Sequence, residues 1–313
     1  MIGQAFQQLK EAGVLGINNR NAEYIMRYNP RSLYPLVDNK VLTKRLAKQY
    51  GIPTPVLFHV IENYGSMKNL KTMLEDIKEF VVKPASGSGG SGIILIAERT
   101  RNVFLTQSKK VVTLEYLSYH ISDILSGIFS LQGHEDHAII ESLIHPDQVF
   151  SAVTYQGVPD VRIIVYRGVP VMAMVRLPTK DSDGKANLHR GAIGAGIELG
   201  TGQTITAVHK SKIVTHHPDT GNPVSGLQVP HWDTMLSIAT LATDMTGLGY
   251  IGVDIVIDRD RGPVLLELNA RPGLAIQMAN KSGLLKRLED VDAAPDGIFT
   301  TPEKRIAWAK ENL

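Results

Sequence analysis

The 313-residue chain contains no cysteine. Disulfides, thiol nucleophiles and thiolate metal sites are therefore excluded, and the chain suits a reducing cytoplasm. Charge of one sign is not concentrated anywhere. Lys and Arg number 33 and Asp and Glu 31, a net charge of +2. No basic stripe forms, so nucleic acid is not expected as a partner. No apolar run approaches the ~20 residues that span a bilayer, so no membrane span is expected. Met1 to Lys10 lacks a cationic start followed by an apolar core, so no secretory signal is visible. Internal repeats and low-complexity stretches are absent. The phosphate-loop spacing G-x-x-x-x-G-K-[ST] is absent, and so is the zinc-binding H-E-x-x-H. His134-Glu135-Asp136-His137, and His209 with His216-His217, therefore read as polar loops rather than zinc sites.

What is present is an ordinary globular composition, 43% apolar and 20% charged. A chain of this length buries roughly 75% of its unfolded surface and allows two domains or one lobed domain. Asn18 to Asn21 reads as a polar loop or cap, with a short helix over Tyr24 to Tyr28. Asp38 is expected to cap a helix that runs to Tyr50 and stops at Gly51. Strands are expected at Val56–Ile61, Phe80–Lys83 and Gly92–Ala97, with helices at Met67–Ile77 and Leu114–Phe129. From Ala138 the chain turns strand-rich, at Ala138–Ile144, Val161–Tyr166 and Val171–Leu177. A glycine-dense stretch follows, Gly191 to Gly202. Helices are expected at His231–Thr246 and Pro302–Asn312, the last capped by Thr301.

The strongest chemical signal lies near the C-terminus. Gly252-Val253-Asp254-Ile255-Val256-Ile257 and Leu265-Leu266-Glu267-Leu268-Asn269 flank the polar turn Asp258 to Gly262, which predicts a β-hairpin. Glu267 and Asn269 differ by two, so a strand points both to one face. If pairing brings Asp254 beside them, three oxygen-bearing side chains converge, a donor set suited to Mg²⁺. Unpaired carboxylates inside apolar runs are costly, which favours a metal over a bland explanation.

Other candidates are weaker alone. Lys83 ends an apolar strand just before Pro84-Ala85-Ser86-Gly87-Ser88-Gly89-Gly90-Ser91-Gly92. Such a loop can curl backbone N–H groups around an anion, or can be a mobile hairpin tip. Lys40 and Lys44 lie one helical turn apart and read first as a solvated face. Arg162 and Arg176 sit in buried-looking strands and require a carboxylate or a ligand phosphate. Glu141 is a strand-end charge or a ribose partner. In Asn187-Leu188-His189-Arg190-Gly191, His189 reads as a positioning residue and Arg190 as a holder of a substrate carboxylate.

Taken in this order, from about Asp38 to Gly273, the segments resemble the ATP-grasp superfamily, and most of all the α-L-glutamate ligase-like proteins related to ribosomal-protein glutamate ligases. The resemblance implies an α+β fold in which two α+β subdomains clasp ATP. The expected divisions are a helical segment at 1–53, a smaller subdomain at 54–137, a larger one at 138–290 and a tail helix at 291–313. It implies that Lys40, Lys83 and the loop Ser86, Gly87, Ser88, Gly89 and Gly90 contact the ATP phosphates. Glu141, Ser142, Leu143 and Ile144 would line the adenine and ribose pocket. Asp254, Glu267 and Asn269 would hold Mg²⁺, two ions, or Mn²⁺ in their place. Arg162, Arg176, Asn187 and Arg190 would face the γ-phosphate, acyl phosphate or amino-acid substrate, with Arg271 extending that rim.

The implied activity is ATP-dependent joining of a carboxylate to an amine through an acyl phosphate, with glutamate or a similar amino acid added to an acceptor that can be a peptide or protein. A small-molecule kinase and an inactive nucleotide-binding regulatory module are the alternatives. Amide-forming members carry a full N-terminal α/β domain, whereas here only 37 residues precede Asp38. A homo-oligomer or a partner protein is therefore expected to complete the substrate site.

Overall fold

The computed structural model describes residues 2–87, 89–100, 103–130 and 133–313. Two compact units form. The small unit comprises Asp38–Arg45 and Thr54–His145, and the large unit the residues up to Val37, Leu46–Pro53 and Pro146–Leu313. Every strand pair among the described residues is antiparallel. No helix in them is long and apolar enough to cross a membrane.

The small unit contains β1 (Leu57–Ile61), β2 (Phe80–Pro84), β3 (Ile94–Ile96), β4 (Glu98–Thr100), β5 (Val103–Leu105), β6 (Val111–Thr113) and β7 (Ala138–Glu141). One sheet has the order β1-β7-β2-β3 and a second the order β4-β5-β6. Alternation sorts the first sheet into two faces. Phe80, Val82, Ala138 and Ile140 point to a core shared with Leu117, Ile121 and Ile124 of the helix Leu114–Leu125. Phe80 meets Phe104 edge to face at 5.6 Å, tying the two sheets together. Val81, Lys83, Ile139 and Glu141 occupy the opposite face.

The large unit is built on β8 (Asp160–Tyr166), β9 (Val169–Leu177), β10 (Ile193–Ile197), β11 (Thr204–His209), β12 (Lys212–Val214), β13 (Tyr250–Asp258) and β14 (Gly262–Asn269), in the sheet order β12-β11-β10-β9-β8-β13-β14. One face, including Val161, Ile163, Val253 and Ile255, packs against the helix Trp232–Thr246. The other face carries Ile164, Tyr166, Met172, Met174 and Tyr250, packed under the helices Ile276–Asn280 and Leu284–Asp292. In β10, a Cβ at Gly196 would fall 2.6 Å from the Ala279 carbonyl oxygen, so this strand needs glycine where the helix crosses it.

Several expectations are corrected. β7, expected in the larger subdomain that begins at position 138, pairs with both β1 and β2, and the large unit resumes only at Pro146. The segments 2–37 and 291–313 belong to the large unit rather than standing apart. Asn39, not Asp38, caps the helix Lys40–Gln49; its Oδ1 accepts from Val41 N at 2.9 Å and Leu42 N at 3.2 Å. Residues 18–21 are helical, within a continuous run over 17–28 that has a π-helical middle. Buried Arg20 explains this, since its Nη1 donates to the Pro272 carbonyl at 2.7 Å. The helix expected over 67–77 is only a 3₁₀ turn, Ser66–Asn69, and one α turn, Leu70–Met73. That turn is enough to bury Leu70 and Leu74 together.

Candidate functional site

In the large unit, the predicted hairpin forms between β13 and β14. Its register sets Asp254 opposite Glu267 and Gly252 opposite Asn269. Period two therefore places Asp254, Glu267 and Asn269 on one sheet face. The turn is held by Asp258, whose Oδ1 accepts from the Asp260 and Arg261 N–H groups, each at 3.0 Å.

Cross-strand register brings two arginines to the same place. Asp254 lies opposite Arg162 on β8, and Asp160 opposite Arg176 on β9. Arg162 donates from Nε to Asp254 Oδ1 and from Nη2 to Oδ2, both at 2.5 Å. Arg176 Nη2 donates to Asp254 Oδ2 at 2.8 Å, and the Arg176 guanidinium also forks onto Asp160. The side chains are only 4–12% exposed. Burial opposes ionisation of Asp254, yet the combined pull of Arg162 and Arg176 holds its carboxyl down at about 2. Burial pushes the Asp160 carboxyl up to about 6, against the pull of Arg176. Asn269, oriented to satisfy both ends of its amide, donates to Glu267 Oε1 at 3.3 Å and accepts from Arg162 Nη2 at 3.1 Å.

The two arginines and two aspartates cancel in charge. Glu267 is half-buried and makes no ion pair among the described residues, so the cluster keeps one uncompensated negative charge. Asp254 Oδ1 accepts a single hydrogen bond and retains a second lone pair. Glu267 and the open lone pair of Asp254 are the oxygen donors this arrangement leaves for a hard divalent cation, while the Asn269 oxygen is taken by Arg162. No group of three or more His, Cys, Asp or Glu side chains gathers among the described residues.

Leu188–Arg190 forms a short 3₁₀ turn, capped by Asn187, beside this cluster. Leu188 packs over Gly194 of β10, and Gly194 lies opposite Arg176. Asn187 Oδ1 accepts from His189 N at 2.9 Å, so that oxygen holds the turn rather than a ligand. His189 and Arg190 are exposed. Arg271 lies over the Tyr34 ring at 5.2 Å.

In the small unit, Lys83 and Glu141 are diagonal neighbours on β2 and β7. Lys83 Nζ is paired with Glu141 Oε1, and Lys44 Nζ lies 2.9 Å from Oε2 and donates to the Pro55 carbonyl at 2.7 Å. Lys44 is therefore buried and paired, where helical spacing alone predicts a solvated face. Its signal lies in Glu141, far away in sequence. Burial opposes the charge of Glu141, but Lys83 and Lys44 hold its carboxyl below the ordinary value. Both lysines thus crowd the Glu141 carboxylate expected beside a ribose, yet its Oε2 accepts no hydrogen bond of good geometry among the described residues.

Lys40 Nζ donates to the Gly87 carbonyl at 2.6 Å, bracing the glycine loop. Ser86 N–H is committed to Asp136, at 2.9 Å and 3.1 Å from its two oxygens. Gly89 and Gly90 take φ values of +64° and +74° with open space at Cα, a backbone that glycine favours. Ser88 lies outside the described residues. Ser142 binds Val56 backbone to backbone at 2.8 Å, and Leu143 and Ile144 are buried.

The profile of the sugar-transfer-associated ATP-grasp family matches residues 19–293. The chain belongs to this family. The fold of this ATP-grasp protein is thus the α+β ATP-grasp fold expected from its sequence. The family lies within the ATP-grasp superfamily that the sequence resembles, without reaching its glutamate-ligase branch. Among solved structures, the protein is similar to the ATP-grasp ligase PsnB complexed with minimal precursor, at 15% identity and TM-score 0.47, covering 84% of this chain and 61% of that one. It is similar to the D-cycloserine synthetase DcsG, at 16% identity and TM-score 0.45, covering 84% and 72%. It is also similar to D-alanyl-alanine synthetase A from Vibrio cholerae O1 biovar eltor, at 13% identity and TM-score 0.48, covering 90% and 67%. The chain thus spans about three fifths of the length of PsnB, 61%. No curated protein matches.

Proposed function

We propose that this ATP-grasp protein is an ATP- and Mg²⁺-dependent carboxylate–amine ligase. Family membership supports the nucleotide, and one observation carries the rest. A buried cluster sets two arginines against Asp254 beside the uncompensated carboxylate of Glu267. A site that handles carboxylate and phosphoryl groups needs fixed cations and a metal platform rather than a covalent nucleophile.

A carboxylate acylates poorly because its leaving group is oxide. In the proposed reaction a substrate carboxylate oxygen attacks the γ-phosphorus of ATP and ADP departs. The amine then attacks the carbonyl carbon of the acyl phosphate, inorganic phosphate leaves, and the ammonium proton passes to solvent. Lys83 and Lys40 of the small unit are assigned to the phosphates, with Gly87, Gly89 and Gly90 as the flexible loop backbone. Lys44 and Glu141 set the position of Lys83. The surroundings of Ser142 to Ile144 are assigned to the adenine. Asp254, Glu267 and Asn269 would hold Mg²⁺, which supplies charge neutralisation to the phosphoryl group. Arg176, Arg190 and the amide of Asn187 are assigned to the anionic substrate end, and Arg162 orients Asp254.

Glutamate is the added amino acid in the reading by resemblance, and the family's association with sugar transfer makes an acid- or amine-bearing saccharide a candidate partner. The testing experiment is ADP release from Mg-ATP, measured against mixed carboxylates and amines. ADP release requiring both substrate classes supports a ligase. A stable phosphorylated product formed without amine would make the protein a kinase. ATP binding with no turnover in any mixture would leave a regulatory module.

A further inference from the structure

The segment that carries Asn187 and Arg190 leaves β9 at Pro178 and rejoins the sheet at β10. It is held at its root by buried polar groups that the proposed chemistry does not use. Thr179, Ser182 and His217 are each 1% exposed. Thr179 Oγ1 donates to the Gly191 carbonyl at 2.8 Å, closing the loop on itself, and accepts from Ser182 N at 3.1 Å. Ser182 Oγ accepts from Thr179 N at 2.9 Å and donates to its carbonyl at 3.1 Å.

His217 approaches from another turn, residues 215–224. Its Nε2 lies 3.0 Å from the Pro178 carbonyl oxygen, and its Nδ1 lies 3.2 Å from Asp219 N. A carbonyl only accepts and a backbone N–H only donates. Nε2 therefore carries the proton and Nδ1 a lone pair, which fixes one neutral tautomer. Asp219 Oδ2 accepts from Lys180 N at 2.8 Å, adding a second hold on the same segment. The turn is itself anchored by Asn222, whose Nδ2 donates to the Ala152 carbonyl at 2.6 Å and whose carbonyl accepts from His217 N at 2.8 Å. His217 at Pro178 and Asp219 at Lys180 thus tie a turn remote in sequence to both sides of Thr179.

We propose that His217 is a positioning residue that, with Asp219, fixes the Pro178–Gly191 segment so that Asn187 and Arg190 receive the anionic end of the substrate. This rests on the ligase reading for what the segment binds, but not for how it is held. The histidine that first reads as part of a polar loop becomes a strut for the substrate loop.

The test compares wild-type full-length protein with His217→Ala, His217→Gln, Asp219→Ala and the control His216→Ala. Backbone amide exchange is read by mass spectrometry, and ADP release is followed with a metabolite and peptide mixture as the probe. His217→Ala is expected to speed exchange across residues 179–192 by about tenfold or more, because those amides then open locally. It is expected to raise the half-saturating amount of the mixture by a similar factor while leaving that of ATP within about twofold. Glutamine keeps a donor for the Pro178 carbonyl, so His217→Gln should recover most of both effects, and His216→Ala should show neither. Asp219→Ala, at a partly exposed site, keeps the test alive if His217→Ala does not fold; it should act in the same direction. Unchanged exchange, equal loss of ATP and mixture saturation, or a glutamine variant as poor as alanine would overturn the proposal. Absence of ADP release from the wild type would refute the ligase reading instead, and exchange alone would then decide whether His217 holds the segment.

Discussion

Glu141→Gln offers the sharpest energetic consequence of the small unit's architecture. In the native protein one carboxylate, 3% exposed, is shared by Lys83 at 5% and Lys44 at 9%. Glutamine keeps the shape and removes the charge. Two ammonium groups then remain buried around a neutral amide. At a separation of about 5 Å and an effective dielectric constant near 20, their repulsion is about 3 kcal/mol. Breaking a buried pair by removing one partner costs about 3–5 kcal/mol in general, so the two routes agree in scale. Taking ~1.4 kcal/mol per tenfold, the folded fraction of the small unit falls at least a hundredfold relative to unfolded. Urea titration, with exchange read at β2 and β7, measures it. The double variant Glu141→Gln/Lys44→Met should recover a large part by removing one of the two repelling charges. A loss under about 1 kcal/mol for Glu141→Gln would refute the reasoning, since the triad would then be solvated in practice.

The same group sets an acid limb. Its folded-state carboxyl is held below the ordinary 4.5, so the stability it supplies is present above that value and is lost as pH falls through the folded one. Unfolding of the small unit by acid should therefore begin below pH 4.5, and Glu141→Gln should flatten that limb. Glu267→Ala and Asn269→Ala should each reduce Mg²⁺-dependent ADP release by more than about a hundredfold while the circular dichroism spectrum is retained; near-normal turnover in both would remove the metal assignment. Gly196→Ala should destabilise the large unit by about 1–3 kcal/mol, because the new methyl meets the Ala279 carbonyl; an unchanged melting temperature would contradict that packing. Asn39→Ala should cost about 1 kcal/mol in thermal unfolding through loss of two N-cap hydrogen bonds.

Sequence reading works best where polar residues interrupt an apolar pattern of known period. Asp254, Glu267 and Asn269 stand out because a period-two strand pair has one geometry for them, and the register of β13 and β14 follows it. Lys83 is legible for a similar reason, as a cation ending an apolar strand before glycines. Lys44 is not, because its burial comes from Glu141, nearly a hundred residues away, and helical spacing alone resembles a solvated face. β10 hides behind Gly194 and Gly196, whose missing side chains make room for Leu188 and the helix Ile276–Asn280 but erase the strand's hydrophobic signature. The unit boundary is missed because β7 reads as the start of the strand-rich half, while its hydrogen bonds run back to β1 and β2. Pairing between distant segments is the information a local pattern lacks. For the same reason Arg162 and Arg176 read evenly as structural or ligand-binding, and the register with Asp254 and Asp160 supplies their partners.

The most direct measurement is mass spectrometry of a metabolite and peptide mixture incubated with the protein, Mg²⁺ and ATP. The account predicts a new species whose mass is that of an acid plus an amine less one water, formed in step with ADP and phosphate and absent without ATP. A species that gains a phosphate and needs no amine, or release of AMP and pyrophosphate in place of ADP, would contradict it.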